Sequence, residues 1–304
     1  MADRILVAGA TGYIGRKLAL RLAEAGCTVR CLARSPEKAK DLEEAGCEVV
    51  KADVLDPKSL DVAMEGVGIA YYLVHSMGRG AKEDFQETDR RAATNFAEAA
   101  KKAGVGRIIY LGGLGEGKSK HLRSRQETAD ALASTGLPQT YLRAAAVLGG
   151  GSESFRTVYY LVKRLPLMVT PRWTTTRTQP IAVKDVVSYL AASRELGKEG
   201  DTEDHVIELG GPDVTTYGGM MDKMAEAMNR RPPKRIAVPF LSPGLSSRWI
   251  GLVTPVDTGV ARPLVEGLTT ETVVEDPSGM KLFDIETTGL DEAMAAAVEE
   301  MEAE

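Results

Sequence analysis

The N-terminal half of the chain alternates short apolar runs with longer stretches whose apolar residues recur every three or four positions. Runs at 5–8, 28–33, 48–52, 69–74, 107–111 and 140–143 read as strands. The intervening stretches at 16–23, 36–44, 57–66, 83–102 and 122–134 read as helices. In the longest of these, Phe85, Ala92, Ala93, Phe96, Ala97 and Ala100 form the expected buried stripe. Strands separated by helix-length segments predict a parallel sheet with right-handed crossovers, a Rossmann-type doubly wound α/β fold.

After Gly149-Gly150-Gly151 the regularity breaks. A helix is predicted at 155–165, with Phe155, Val158, Tyr159, Leu161 and Val162 as its apolar stripe, followed by an irregular stretch at 166–180 containing Trp173. A strand at 180–183, a helix at 186–194 and a strand at 205–209 resume the earlier style. A helix at 217–228, a short strand at 235–238 and an acidic helix at 291–302 follow. The expected division is a nucleotide-binding core of residues 1–150 with return segments at 179–210. Residues 151–178 and 211–304 are expected to form a smaller α+β substrate lobe.

The stretch Gly9-Ala10-Thr11-Gly12-Tyr13-Ile14-Gly15 sits between the first predicted strand and the first predicted helix. That context makes it a candidate dinucleotide cradle. Gly9 permits a tight turn off the strand, Gly12 lets backbone approach a pyrophosphate, and Gly15 lets the helix pack closely on the sheet. The helix N-terminus then presents free amides and a positive dipole end to phosphate. Gly9, Thr11, Gly12, Tyr13, Ile14 and Gly15 are the candidate cofactor contacts here. The plainer alternative is a strand–loop–helix with flexible glycines.

At the end of the second strand an NAD-preferring domain carries an acid for the ribose hydroxyls. Here the chain reads Leu32-Ala33-Arg34-Ser35. With no acid present, Arg34 can grip a 2′-phosphate, and Ser35 and Lys38 can add a hydroxyl and a second positive charge, so NADP(H) is the expected cofactor. Otherwise Arg34 is a solvated residue at a strand end. Leu73-Val74-His75 lies where the fourth strand would deliver the chain to the cofactor.

A net charge of −5 argues against a nucleic-acid partner, since there is no basic field to attract phosphates. No apolar stretch reaches membrane-spanning length, and no signal-peptide pattern opens the chain, so a cytoplasmic location is expected. Cys27, Cys31 and Cys47 complete no metal-ligand pattern and read as reduced thiols. No metal site is expected.

The glycine spacing, Leu111-Gly112-Gly113-Leu114, Gln179-Pro180-Ile181-Ala182-Val183-Lys184-Asp185-Val186 and Leu209-Gly210-Gly211-Pro212 together resemble the atypical short-chain dehydrogenase/reductases. These include NmrA-like and isoflavone-reductase-like proteins, divinyl chlorophyllide reductases and the nucleotide-binding accessory subunit of respiratory complex I. The resemblance implies that Asp53 contacts the adenine with Val54 packing on the ring. It also implies that Leu73, Val74, His75, Leu111 and Gly112 line the cofactor site. Asp53 could equally serve as a turn or cap residue.

Active members of that superfamily usually carry Tyr-x-x-x-Lys on the helix after the fifth strand. The matching stretch here is His121-Leu122-Arg123-Ser124-Arg125, which puts His121 in place of the tyrosine and Arg125 in place of the lysine. Arg125 can still bind ribose and project positive charge, and His121 can in principle act as an acid; the alternative is that His121 caps the helix or faces solvent.

On the substrate side, Phe155, Tyr159, Tyr160, Leu167, Met168 and Trp173 among Arg156, Lys163, Arg164 and Arg172 suggest an apolar pocket with a basic rim. A core-facing stripe explains most of the same residues. Phe240, Leu245 and Trp249 are further candidates for pocket or core, and the acidic run 299–302 reads as a solvated helix end. The leading expectation is an NADP(H)-dependent oxidoreductase acting on a small hydrophobic carbonyl, enone or activated alkene. A non-catalytic NADP(H)-binding redox sensor or assembly factor is the alternative, and a sugar-nucleotide epimerase suffers from the missing pair.

Overall fold

The computed structural model describes residues 4–75, 85–115, 119–165, 167–170, 172–197, 202–237 and 267–303. The first half runs β1 Arg4–Ala8, α1 Tyr13–Glu24, β2 Val29–Ala33, α2 Lys40–Glu44, β3 Glu48–Lys51, α3 Pro57–Ala63, β4 Val67–Tyr72, α4 Phe85–Ala103, β5 Arg107–Gly113, α5 Lys120–Ala133 and β6 Gln139–Ala144. Then come β7 Val147–Leu148, α6 Glu153–Arg164, β8 Leu167–Thr170, β9 Arg177–Thr178, β10 Ile181–Ala182 and α7 Val183–Ala192. The chain continues with β11 His205–Leu209, β12 Thr215–Thr216, α8 Tyr217–Ala227, β13 Lys234–Ala237 and α9 Leu290–Ala303.

Seven strands form one sheet in the order β11-β6-β5-β4-β1-β2-β3. Every pairing in it is parallel. This is the Rossmann-like α/β architecture expected, with the strand order reversing between β1 and β4, where open α/β sheets bind ligands. Alternation along β1 explains the two covered faces. Ile5 and Val7 join Leu18, Leu22, Val186 and Leu190 on one side. Leu6 and Ala8 join Leu60, Phe96, Tyr110 and Leu132 on the other. Phe96 meets Tyr72 edge-on at 5.0 Å, and its full burial contributes about 2–3 kcal/mol. The alanines of α4 let that helix lie close to the sheet; Phe85, at its start, is only partly buried.

A third apolar cluster gathers α6, α8 and α9 around Phe155, Tyr159, Trp173, Met221, Met224, Met294 and Val298. Two expectations for this part of the chain need correction. Residues 167–170, expected to be irregular, form β8 and pair in parallel with β13. Among the described residues the 180–183 run does not join the main sheet: β10 pairs with β7, and the helix begins at once at Val183. Phe240, Leu245, Trp249 and Val238 lie outside the described residues. Among the described residues no helix is long and apolar enough to cross a membrane.

Buried polar ties fasten the C-terminal segment to the sheet. Asp185, in the first turn of α7, accepts from the Thr288 amide at 2.8 Å and the Thr288 hydroxyl at 3.0 Å. The Gln179 side chain donates to the Gly211 carbonyl and accepts from the Val274 amide. Replacing Asp185 with alanine strands a buried amide and hydroxyl together. Asp185→Ala is therefore expected to lower unfolding free energy by about 3 kcal/mol, read as a lower urea midpoint at unchanged slope.

Candidate functional site

The chain leaves β1 through a turn that tolerates little beyond glycine. Gly9 has φ +88°, and a Cβ there would lie 2.5 Å from the Leu73 carbonyl oxygen. The Gly12 amide closes the turn on the Gly9 carbonyl at 2.9 Å. A Cβ on Gly15 would lie 2.2 Å from that same carbonyl. Gly15 thus serves helix-to-turn contact rather than the helix-to-sheet contact expected. Among the described residues no side chain caps the start of α1 and no acid occupies its first turn. Its positive dipole end, with no side-chain acid against it, suits an anion.

Two adjoining cavities open at this turn and share Gly9, Gly12, Leu73 and His75. The smaller, about 290 Å³, is lined by Thr11, Leu32, Arg34, Asp53, Val54, Leu55, Val74 and Ala92 besides the shared residues. The larger, about 780 Å³, adds Tyr13, Ile14, Gly15, Leu111, Gly112, His121 and Arg125. Every cofactor-side or catalytic candidate from the sequence lies on one wall or the other except Ser35 and Lys38. The Ser35 hydroxyl is engaged by Glu37, whose carboxyl its own backbone amide, then Ser35, hold below the usual range. Lys38 is exposed on the turn that follows Arg34. Asp53 combines the two uses weighed for it, accepting from the Leu55 amide at 3.0 Å while lining the smaller cavity.

Helix α5 is capped by Ser119, whose hydroxyl accepts from the Leu122 amide at 3.2 Å. His121 is therefore free of capping, and with Arg125 one turn later it faces the larger cavity. Burial, then the charges of Arg125 and His75, push the His121 pKa down to about 3. At neutral pH it is an uncharged imidazole. Arg125 is under the opposite influence: burial disfavours its charge, but Tyr110, Asp89 and Tyr141 outweigh that and raise its pKa. The Tyr110 hydroxyl donates to the Arg125 carbonyl at 3.3 Å, and its ring stacks on Tyr141 at 5.1 Å. Asp89, buried on α4, accepts from Ser124 at 3.3 Å. A permanent cation thus stands on a buried polar base beside a neutral histidine. Among the described residues no three His, Cys, Asp or Glu side chains converge as metal ligands.

The roof of the larger cavity comprises Ala144–Val147, Gly151–Ser154, Arg156, Tyr217, Gly267, Leu268 and Thr272. Arg156 was expected on its basic rim; Ala144–Val147, Tyr217, Gly267, Leu268 and Thr272 went unread in the sequence. The aromatics expected there, Phe155, Tyr159 and Trp173, are buried in the third cluster instead, because the stripe of α6 faces α8. Tyr160 is partly buried beside Arg164, and Leu167 is half exposed. In the acidic run near the C-terminus, Glu299 and Glu302 are exposed as expected, but Glu300 is not simply solvated. Glu300 reaches back to accept from the Tyr13 hydroxyl and the Gly150 amide, and pairs with Lys17 at 2.8 Å. Tyr13 packs its ring where any side chain on Gly151 would stand. No local pattern signals this link, which spans 287 residues.

Residues 9–167, just over half of the chain, match the family described as NAD(P)H-binding. The chain is 27% identical over 296 residues to the mitochondrial NADH dehydrogenase [ubiquinone] 1 alpha subcomplex subunit 9 of Arabidopsis thaliana, covering 92% of this chain and 73% of that one. It is 23% identical over 295 residues to the ceramide reductase of Caulobacter vibrioides, covering 87% and 92%. The fold matches that of the NADPH-dependent quinone oxidoreductase QOR2 of Escherichia coli, solved with NADPH, with TM-score 0.75, 21% identity and coverage of 96% and 98%.

Burial alone would raise the Glu300 carboxyl, but hydrogen bonds from Lys17, Tyr13 and Gly150 outweigh it and hold it below its ordinary value of 4.5. A depressed folded pKa means the stabilisation is complete above pH 4.5 and is lost as pH falls through the folded value. Glu300→Gln should cost about 1 kcal/mol at pH 7, discounted for partial exposure, with the gap to wild type closing below pH 4.5. Urea midpoints at pH 7 and pH 3.5 measure it.

Proposed function

Because the chain belongs to the NAD(P)H-binding family, we propose that it is an NADP(H)-dependent oxidoreductase of the atypical short-chain type, acting on a hydrophobic carbonyl, enone or activated alkene. The observation that carries the reading is the pair of joined cavities, with Arg34 at one end and Arg125 and His121 at the other. Arg34 would hold the 2′-phosphate through charge-assisted bonds, and Asp53 and Val54 would flank the adenosine. The positive dipole end of α1 suits the pyrophosphate. Residues 151–178 and 211–304 serve as the substrate lobe in this reading, contributing the roof over the larger cavity.

Bound nicotinamide supplies the hydride chemistry. The chain's own part is electrostatic. Arg125 keeps its charge at the cavity wall and favours the oxyanion or enolate that develops when an electrophilic carbon accepts hydride. His121, neutral at working pH, offers an N–H donor to the same oxygen rather than a transferable proton. The proton that completes the reduction then comes from water. Apolar lining from Leu114, Leu122, Leu268 and Tyr217 favours a largely hydrophobic substrate.

A second reading, NADP(H) binding without turnover in an assembly or sensing role, is favoured by the neutral His121 where a proton donor would stand. It is also favoured by the similarity to a subunit of a larger complex. Fluorescence titrations with NADPH and NADH, on wild type and Arg34→Ala, test the common premise. NADPH affinity should fall about 10- to 100-fold in the variant while NADH changes little. Oxidation of bound NADPH by a panel of quinones and enones then supports the enzyme, and tight binding with no turnover supports the second reading. Failure to bind either nucleotide overturns both.

A further inference from the structure

Arg16 stands in the first turn of α1, immediately after Gly15, and its guanidinium reaches sideways to the segment that follows Arg34. Its Nη2 donates to the Lys38 carbonyl at 2.7 Å. Its Nη1 pairs with the Asp41 carboxylate. The Arg16 amide is bonded to the Gly12 carbonyl at 2.9 Å, so the anchor of this link is the glycine turn itself. One side chain therefore joins the turn proposed to hold the pyrophosphate to the loop proposed to hold the 2′-phosphate.

The link has two physical consequences. The short turn Pro36–Ala39 carries Lys38 and adjoins Arg34 and Ser35, and a fork from Arg16 sets where its backbone lies relative to the smaller cavity. The Asp41 carboxylate, about half exposed in the helix that follows this turn, would otherwise add a negative charge beside it. The hydrogen bond from Arg16, foremost among several influences, holds that carboxyl below its ordinary range and pairs its charge. An unpaired carboxylate there would oppose a phosphate dianion and leave an uncharged 2′-hydroxyl almost unaffected.

We propose that Arg16 is a positioning residue for 2′-phosphate recognition, setting the loop after β2 and neutralising Asp41, so that discrimination between NADPH and NADH depends on it although it lines neither cavity. The inference rests on the reading of Arg34 as the phosphate ligand. A surface ion pair with only a structural role would alter stability slightly and would move both nucleotides alike.

The test is nucleotide titration of the full chain with NADPH and NADH for wild type, Arg16→Ala, Arg16→Lys and Arg34→Ala, alongside urea midpoints. Arg16→Ala should weaken NADPH about tenfold and NADH less than about twofold. Arg16→Lys keeps a charge for Asp41 but loses the fork, and should fall between wild type and Arg16→Ala for NADPH alone; it carries the test if the alanine variant does not fold. Equal losses for both nucleotides, or no loss for either, would overturn the proposal while Arg34→Ala still discriminates. If Arg34→Ala leaves NADPH binding unchanged, the cofactor reading beneath the proposal fails instead.

Discussion

Between β1 and α1 the backbone folds back so tightly that the Gly9 carbonyl is approached by the Gly12 amide and by the Cα of Gly15 together. A single methyl on Gly15 would come within 2.2 Å of that oxygen. The rest of the site follows from this contact. It aims the start of α1 into the gap where the sheet order reverses, and it brings Leu73 and His75 against the turn. It also places Tyr13 under the Gly149–Gly151 bend and Arg16 within reach of the loop after β2. Glu300 adds the outer clasp, tying the last helix to the first. Substitution at Gly15 therefore disturbs pyrophosphate cradle, cavity wall and loop latch at once.

Beyond the turn, the chemistry depends on which charges survive burial. Arg125 keeps its proton because Tyr110, Asp89 and Tyr141 outweigh its burial, whereas His121, buried and under the charges of Arg125 and His75, loses its own. The pair replaces a tyrosine that gives up a proton with a fixed charge and a neutral donor. Such an arrangement stabilises a developing anion but does not store the proton that quenches it.

The sheet was legible in the sequence because its inner strands are covered on both faces and read as near-continuous apolar runs. The turn was legible because glycine spacing, strand and helix all lie within 24 residues. Arg34 could be found from its place at a strand end. What stayed hidden depends on distant partners. β8 exists through pairing with β13 some 67 residues later, and Glu300 is held by partners far away in the chain. The α6 stripe was compatible with either a pocket or a core, and only the position of α8 decides it. Tyr217 and Leu268 reach the cavity through tertiary folding alone, with no local pattern to announce them.

The central claim is that one dinucleotide lies across both cavities, phosphate end at Arg34 and nicotinamide end at His121 and Arg125. A crystal structure of the chain grown with saturating NADPH addresses it directly. The pyrophosphate should lie against the first turn of α1, the 2′-phosphate on Arg34, and the nicotinamide ring in the larger cavity. A nucleotide bound elsewhere, or lying in the reverse direction, would contradict it.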